Sequence, residues 1–131
     1  MILADTDVLI DYLTDAEPVA SQVDAYVDGD SLQTSAVTCF ELLSGAQENE
    51  RGDATRRLLA AVAVLPLDRE AATRAAAVRQ QMARSGYSIP MADSLIAGIA
   101  LANNLPLLTR NQKHFERIEN LSLIPLSQSG A

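Results

Sequence analysis

Met1-Ile2-Leu3-Ala4-Asp5-Thr6-Asp7-Val8-Leu9-Ile10-Asp11-Tyr12-Leu13 opens the chain. The short apolar run of residues 1–4 has the pattern of a buried strand, and it stops at an acid. Thr6 and Asp7 then open a helix that the pattern carries to about Leu13. A strand running straight into a helix is the first half of a βα unit, and the rhythm repeats outward. A second helix is expected from Val19 to Val27, followed by a strand at Leu32 to Ala36 and a helix from Cys39 to about Gln47. Next come a helix from Ala54 to about Ala63, a strand at Val64 to Leu67, an alanine-rich helix from Glu70 to about Ala83, and another from about Met91 to Asn103. Strands at Leu107 to Thr109 and Leu121 to Leu126 close the pattern. Gly29-Asp30, Gly52-Asp53 and Ser85-Gly86 read as turns. The class this predicts is α/β, with a central parallel β-sheet flanked by α-helices.

With 131 residues and no repeat, low-complexity tract or long linker, the expectation is a single domain over residues 1–131. Cys39 is the one cysteine, so no intrachain disulfide forms. The acids Asp5, Asp7, Asp11, Asp15 and Glu17 stand where a secretory leader would need a basic and then an apolar stretch. A reducing cytoplasm and no membrane are therefore expected. The charge complicates a nucleic-acid reading: 17 acids against 10 Lys and Arg give a net charge of -7, whereas binders of a phosphate backbone are usually basic. Acids that gather around a divalent cation would reverse that field locally.

Three acids stand out by position. Asp5 ends the first strand, at the carboxyl edge where open α/β sheets place ligands; it also fits a helix cap. Glu41 stands three residues after Thr38, the spacing of a capping box, so capping competes with a functional role. Asp93 follows Pro90 and leads the apolar run Leu95, Ile96, Ile99 and Leu101 with no basic partner within a turn, a costly place for a carboxylate unless a cation or backbone amides meet it. Asn111 follows the strand at Leu107 and falls at the same edge. His114, the one histidine, reads as a surface or packing residue in a short loop, and Asp11 as solvent-facing. Arg69, Arg74, Arg79 and Arg84 recur every five residues, which winds around a helix without making a stripe.

Asp5 to Asp11 (DTDVLID), Thr38 to Ala46 (TCFELLSGA), Ala92 to Ala100 (ADSLIAGIA) and Leu107 to Phe115 (LLTRNQKHF) together resemble the PIN-domain ribonucleases, most nearly the VapC-type toxins of toxin-antitoxin modules. The resemblance spans essentially the whole chain and implies a PIN-like fold. It also implies an endoribonuclease that cleaves RNA, with Asp5, Glu41 and Asp93 binding one or two Mg²⁺ or Mn²⁺ ions. Asn111 stands at a fourth, often acidic position, which leaves the second metal open. Implied partners are the RNA substrate, a cognate antitoxin, and a second copy of the chain in homodimers that pair into larger assemblies. The chemistry of the residues agrees: three carboxylates converging without Lys or Arg repel one another and call for a hard divalent cation, with Mg²⁺ the natural choice, activating a water for in-line attack on a phosphodiester. An arginine of the antitoxin is expected to approach the carboxylates, anchored in an apolar groove around Leu9, Leu13, Leu42 and Leu59, although these leucines also suit a core.

Two rivals remain. Asp5-Thr6-Asp7-Val8 fits the signature of dehalogenase-type phosphatases, but Lys113 is the only lysine and no acidic pair follows it. A non-catalytic α/β interaction module would leave the three acids as caps.

Overall fold

A computed structural model describes residues 1–128. In chain order the elements are β1 (Ile2–Ala4), α1 (Thr6–Leu13), α2 (Val19–Asp28), β2 (Leu32–Ser35), α3 (Ala36–Gly45) and α4 (Glu50–Ala61). They continue with β3 (Ala63–Leu65), α5 (Arg69–Arg84), α6 (Met91–Ala102), β4 (Leu107–Leu108) and α7 (Gln112–Phe115). The strands form one parallel sheet in the order β3-β2-β1-β4. From β1 the chain builds outward through β2 to β3, then returns to add β4 on the other side of β1. The strand order therefore reverses between β1 and β4, and the crevice beyond their carboxyl ends is where such sheets bind ligands.

Strand alternation divides the core between the two faces of the sheet. Leu3 and Leu107 pack with Ala71, Val78, Met82, Ile96, Ile99 and Phe115 under α5, α6 and α7. Ile2, Ala4 and Leu108 pack with Val8, Leu9, Val23, Leu42 and Leu58 under the helices of the first half of the chain. Helices cover both faces, which is why β1 and β4 are apolar throughout instead of alternating with polar residues. The α5–α6 seam is closed by small side chains: a Cβ on Gly98 would lie 2.4 Å from the Ala71 carbonyl oxygen and 2.7 Å from the Ala75 Cβ. No helix among the described residues is long and apolar enough to cross a membrane.

Several expectations are corrected. β2 stops at Ser35 and α3 starts at Ala36, because the Ser35 hydroxyl accepts from the Thr38 N–H at 3.0 Å and caps the helix; Thr38 is inside it, so no capping box joins Thr38 to Glu41. α4 begins at Glu50, with Asn49 accepting from the Gly52 N–H, so Gly52 and Asp53 are helical and not a turn. The Leu121 to Leu126 strand reduces to one bridge, Leu107 with Leu123; Asn120 is left-handed at φ 68° and Pro125 has no N–H to donate, so no longer ladder forms. His114 is on the one-turn helix α7 and not in a loop. Leu9 is fully buried and Leu59 packs against the same core cluster, whereas Leu13 and Leu42 touch that cluster and also line a cavity of about 370 Å³ beside Glu41, so the expected apolar groove is present in part.

Candidate functional site at the reversal of strand order

Asp5 leaves β1 and caps α1. Its Oδ1 accepts from the Thr6 N–H at 2.7 Å, while its Oδ2 accepts from the hydroxyl of Thr109, at the end of β4, at 2.7 Å. The contact joins the two strands that flank the reversal. Asp5 is 4% exposed, and burial pushes its pKa from 3.8 to about 6, with the charges of Asp7 and Asp93 adding to the rise and the bonds from Thr109 and the Thr6 N–H opposing it. Capping and burial at the ligand edge therefore coexist in one residue.

Glu41 approaches from α3. It is exposed, and its Oε1 accepts from the Thr6 hydroxyl at 2.7 Å. Thr6 Oγ1 also lies 3.0 Å from Thr38 Oγ1, which is in turn 3.2 Å from Ser35 Oγ. A hydroxyl has one hydrogen, and the carboxylate can only accept, so Thr6 gives its hydrogen to Glu41 and takes one from Thr38. Thr6 thus ties the glutamate of α3 to the start of α1, one residue from Asp5.

Asp93 enters from the first turn of α6, whose N-cap is Pro90 with no side-chain cap. Its charge reaches Asp5, and its Oδ2 lies 2.6 Å from His114 Nδ1 on α7. Asn111 is the exposed residue preceding α7; its backbone N–H donates to Thr109 Oγ1 at 3.0 Å, and its side chain does not cap the helix. Asp5 and Glu41 are therefore linked through Thr6, Asp93 is coupled to Asp5 by charge, and Asn111 stands at the same edge through Thr109.

Two further acids crowd the crevice. Asp7 Oδ2 accepts from the Arg110 backbone N–H at 3.0 Å, its Oδ1 is buried without a hydrogen-bond partner among the described residues, and burial foremost raises its pKa. Asp11 is buried beside it and pairs with Arg110 Nε at 2.9 Å, against the expectation of a solvent-facing acid. Thr109 and Arg110 are neighbours of these acids that sequence reading did not single out, and His114, expected as a surface or packing residue, meets Asp93. The available signals were their place directly after a strand whose end shares the edge with Asp5 and their membership of the Leu107 to Phe115 block. Among the described residues no three His, Cys, Asp or Glu side chains are grouped so as to hold a metal ion by themselves.

The PIN domain profile matches residues 2–121. The chain belongs to the PIN-domain family. It is 39% identical over 124 residues to ribonuclease VapC10 of Mycobacterium tuberculosis, covering 92% of this chain and 90% of that one. It is 30% identical over 122 residues to ribonuclease VapC1 of Methanocaldococcus jannaschii, covering 93% and 84%. Among solved structures it resembles a toxin-antitoxin complex from Klebsiella pneumoniae, with TM-score 0.77, 26% identity, and coverage of 92% of this chain and 95% of that one. The PIN-domain match over residues 2–121 replaces the dehalogenase-type reading of Asp5-Thr6-Asp7-Val8.

Proposed function

We propose that this protein is a magnesium-dependent endoribonuclease, the toxin of a toxin-antitoxin module, with Asp5, Glu41 and Asp93 as metal ligands and Asn111 at the margin of the site. The observation that carries the reading is the buried Asp5 carboxylate at the reversal of strand order, held by Thr109 and the Thr6 N–H, its proton affinity raised chiefly by burial with the charges of Asp7 and Asp93 adding to it. Carboxylates held together against their own repulsion suit a cation, and the relatives named as ribonucleases supply the substrate class.

The donor set fits a hard divalent ion. Every candidate ligand is an oxygen, and Asp7 Oδ1 is a buried acceptor with nothing to accept from. Mg²⁺ retains several waters and takes only one or two carboxylates directly, so it does not require a closed shell of three protein ligands; Mn²⁺ suits the same donors. When bound, the ion supplies positive charge to the scissile phosphodiester and activates a water for in-line attack. The chain's own residues prepare that step. Thr109 and the Thr6 N–H fix the Asp5 carboxylate, the Thr6 hydroxyl turns Glu41 toward the same edge, and the Asn111 amide offers a neutral donor and acceptor to the phosphate. Water adds to phosphorus and releases one proton to solvent, the bond to the leaving 3′ oxygen breaks, and that oxygen takes one proton from solvent. No covalent intermediate with the protein is needed.

The same acidic crevice suits silencing by an antitoxin that brings an arginine to the carboxylates, and a second copy of the chain is the further partner proposed. The test is cleavage of a fluorogenic RNA by wild type and by Glu41→Gln in Mg²⁺. The reading expects cleavage by wild type and a loss of at least about a hundredfold in the variant, from the removal of one charged ligand. Undiminished cleavage by correctly folded Glu41→Gln refutes the assignment.

A further inference from the structure

The short segment from Thr109 to His114 supplies hydrogens to four acids. Thr109 bonds Asp5, the Arg110 backbone bonds Asp7, the Arg110 guanidinium pairs with Asp11, and His114 meets Asp93. The first three contacts lock together the ends of β1 and β4. The fourth is the side-chain hydrogen bond that the Asp93 carboxylate makes among the described residues. His114 Nδ1 lies 2.6 Å from Asp93 Oδ2, with the ring 46% exposed and the aspartate side chain 14% exposed. A carboxylate has no hydrogen to give, so Nδ1 carries one and donates it. The ring stands on a fixed base: Phe115, next in sequence, is fully buried in the core, and Gln112 at the start of α7 donates to the Ile124 carbonyl at 3.1 Å. An aspartate has two rotatable torsions, and one short bond to a fixed donor removes most of that freedom.

We infer that His114 is the positioning residue of Asp93, holding Oδ2 so that Oδ1 is the oxygen presented to a divalent cation. The inference rests on the metal-dependent reading above and extends it to a residue that touches neither ion nor substrate. Partners of this kind fix the orientation of a ligating carboxylate, and their loss typically weakens metal binding by about 10- to 100-fold.

The experiment is calorimetric titration of the full chain with Mn²⁺ alone, comparing wild type, His114→Ala, His114→Asn and the surface control Lys113→Ala, with thermal melts to verify folding. Asparagine keeps a donor near the position of Nδ1, so it separates the hydrogen bond from the ring. The expected result is a 10- to 100-fold weaker Mn²⁺ affinity for His114→Ala, most of it recovered in His114→Asn, and no change for Lys113→Ala. Wild-type affinity in folded His114→Ala overturns the positioning role alone. Equal weakening in His114→Ala and His114→Asn overturns the hydrogen-bond explanation. A wild-type chain that binds no Mn²⁺ overturns the metal reading and the positioning role together.

Discussion

Asp5→Asn should abolish catalysis and stabilise the protein. In the unfolded chain this carboxyl ionises near 3.8, in the fold near 6, so the folded state resists its charge. The sign follows from proton counting: between these values the native state holds a proton that the unfolded state has released, and stability therefore falls as pH rises through that window. Below 3.8 both states are protonated and the penalty vanishes. Above about 6 it is present in full, and a shift of about 2 units corresponds to about 3 kcal/mol. Asparagine keeps the shape and never ionises. Its amide oxygen can accept from the Thr6 N–H, and its NH₂ can donate to the Thr109 hydroxyl in place of the present bond. Allowing about 1 kcal/mol for poorer amide geometry leaves a gain of about 2 kcal/mol at pH 8, or roughly 5–10 °C in melting temperature for a chain of this size. The assay is thermal and urea unfolding of metal-free wild type and Asp5→Asn at pH 4 and pH 8. The variant should be more stable by about 2 kcal/mol at pH 8 and slightly less stable, by under about 1 kcal/mol, at pH 4. A variant less stable than wild type at pH 8, or a gain of the same size at both pH values, would refute the reasoning.

Thr109→Val removes the hydroxyl that holds the Asp5 pKa down, so the Asp5 titration followed by ¹³C NMR of the metal-free protein should move above about 6; an unmoved titration contradicts the bond. Gly98→Ala places a methyl 2.4 Å from the Ala71 carbonyl oxygen, and α5 and α6 must separate to accept it. Urea unfolding should show a loss of about 1–3 kcal/mol, and wild-type stability would show that the seam has room.

The apolar runs announce the strands and their shared edge, because a sheet covered on both faces needs unbroken hydrophobic segments such as Ile2-Leu3-Ala4. Asp5 is legible for the same reason: it is the first charged residue after such a run. The contacts that hold the acids are not. Thr109 reaches Asp5 across 104 residues and His114 reaches Asp93 across 21, and no local pattern encodes which loop returns to which edge. Local rules also compete. Ser35 and Thr38 are both good caps, and the choice went to Ser35 because β2 ends there, which puts Thr38 inside the helix and leaves Glu41 to Thr6. Asp11 looks solvent-facing by helical spacing alone, yet Arg110 arrives from β4 to pair with it. The leucines illustrate the same ambiguity: Leu9 is wholly core, while Leu13 and Leu42 pack on that core and also line the cavity beside Glu41.

The claim at the centre of this account is that Asp5, Glu41 and Asp93 serve a single divalent-cation centre. Anomalous diffraction from crystals of the full chain soaked in saturating Mn²⁺ tests it most directly. The account predicts a peak bounded by the Asp5 and Asp93 carboxylates on the Glu41 side of the crevice, absent from Asp93→Asn crystals treated identically. A Mn²⁺ peak elsewhere with that crevice empty, or the same peak undiminished in Asp93→Asn, would contradict it.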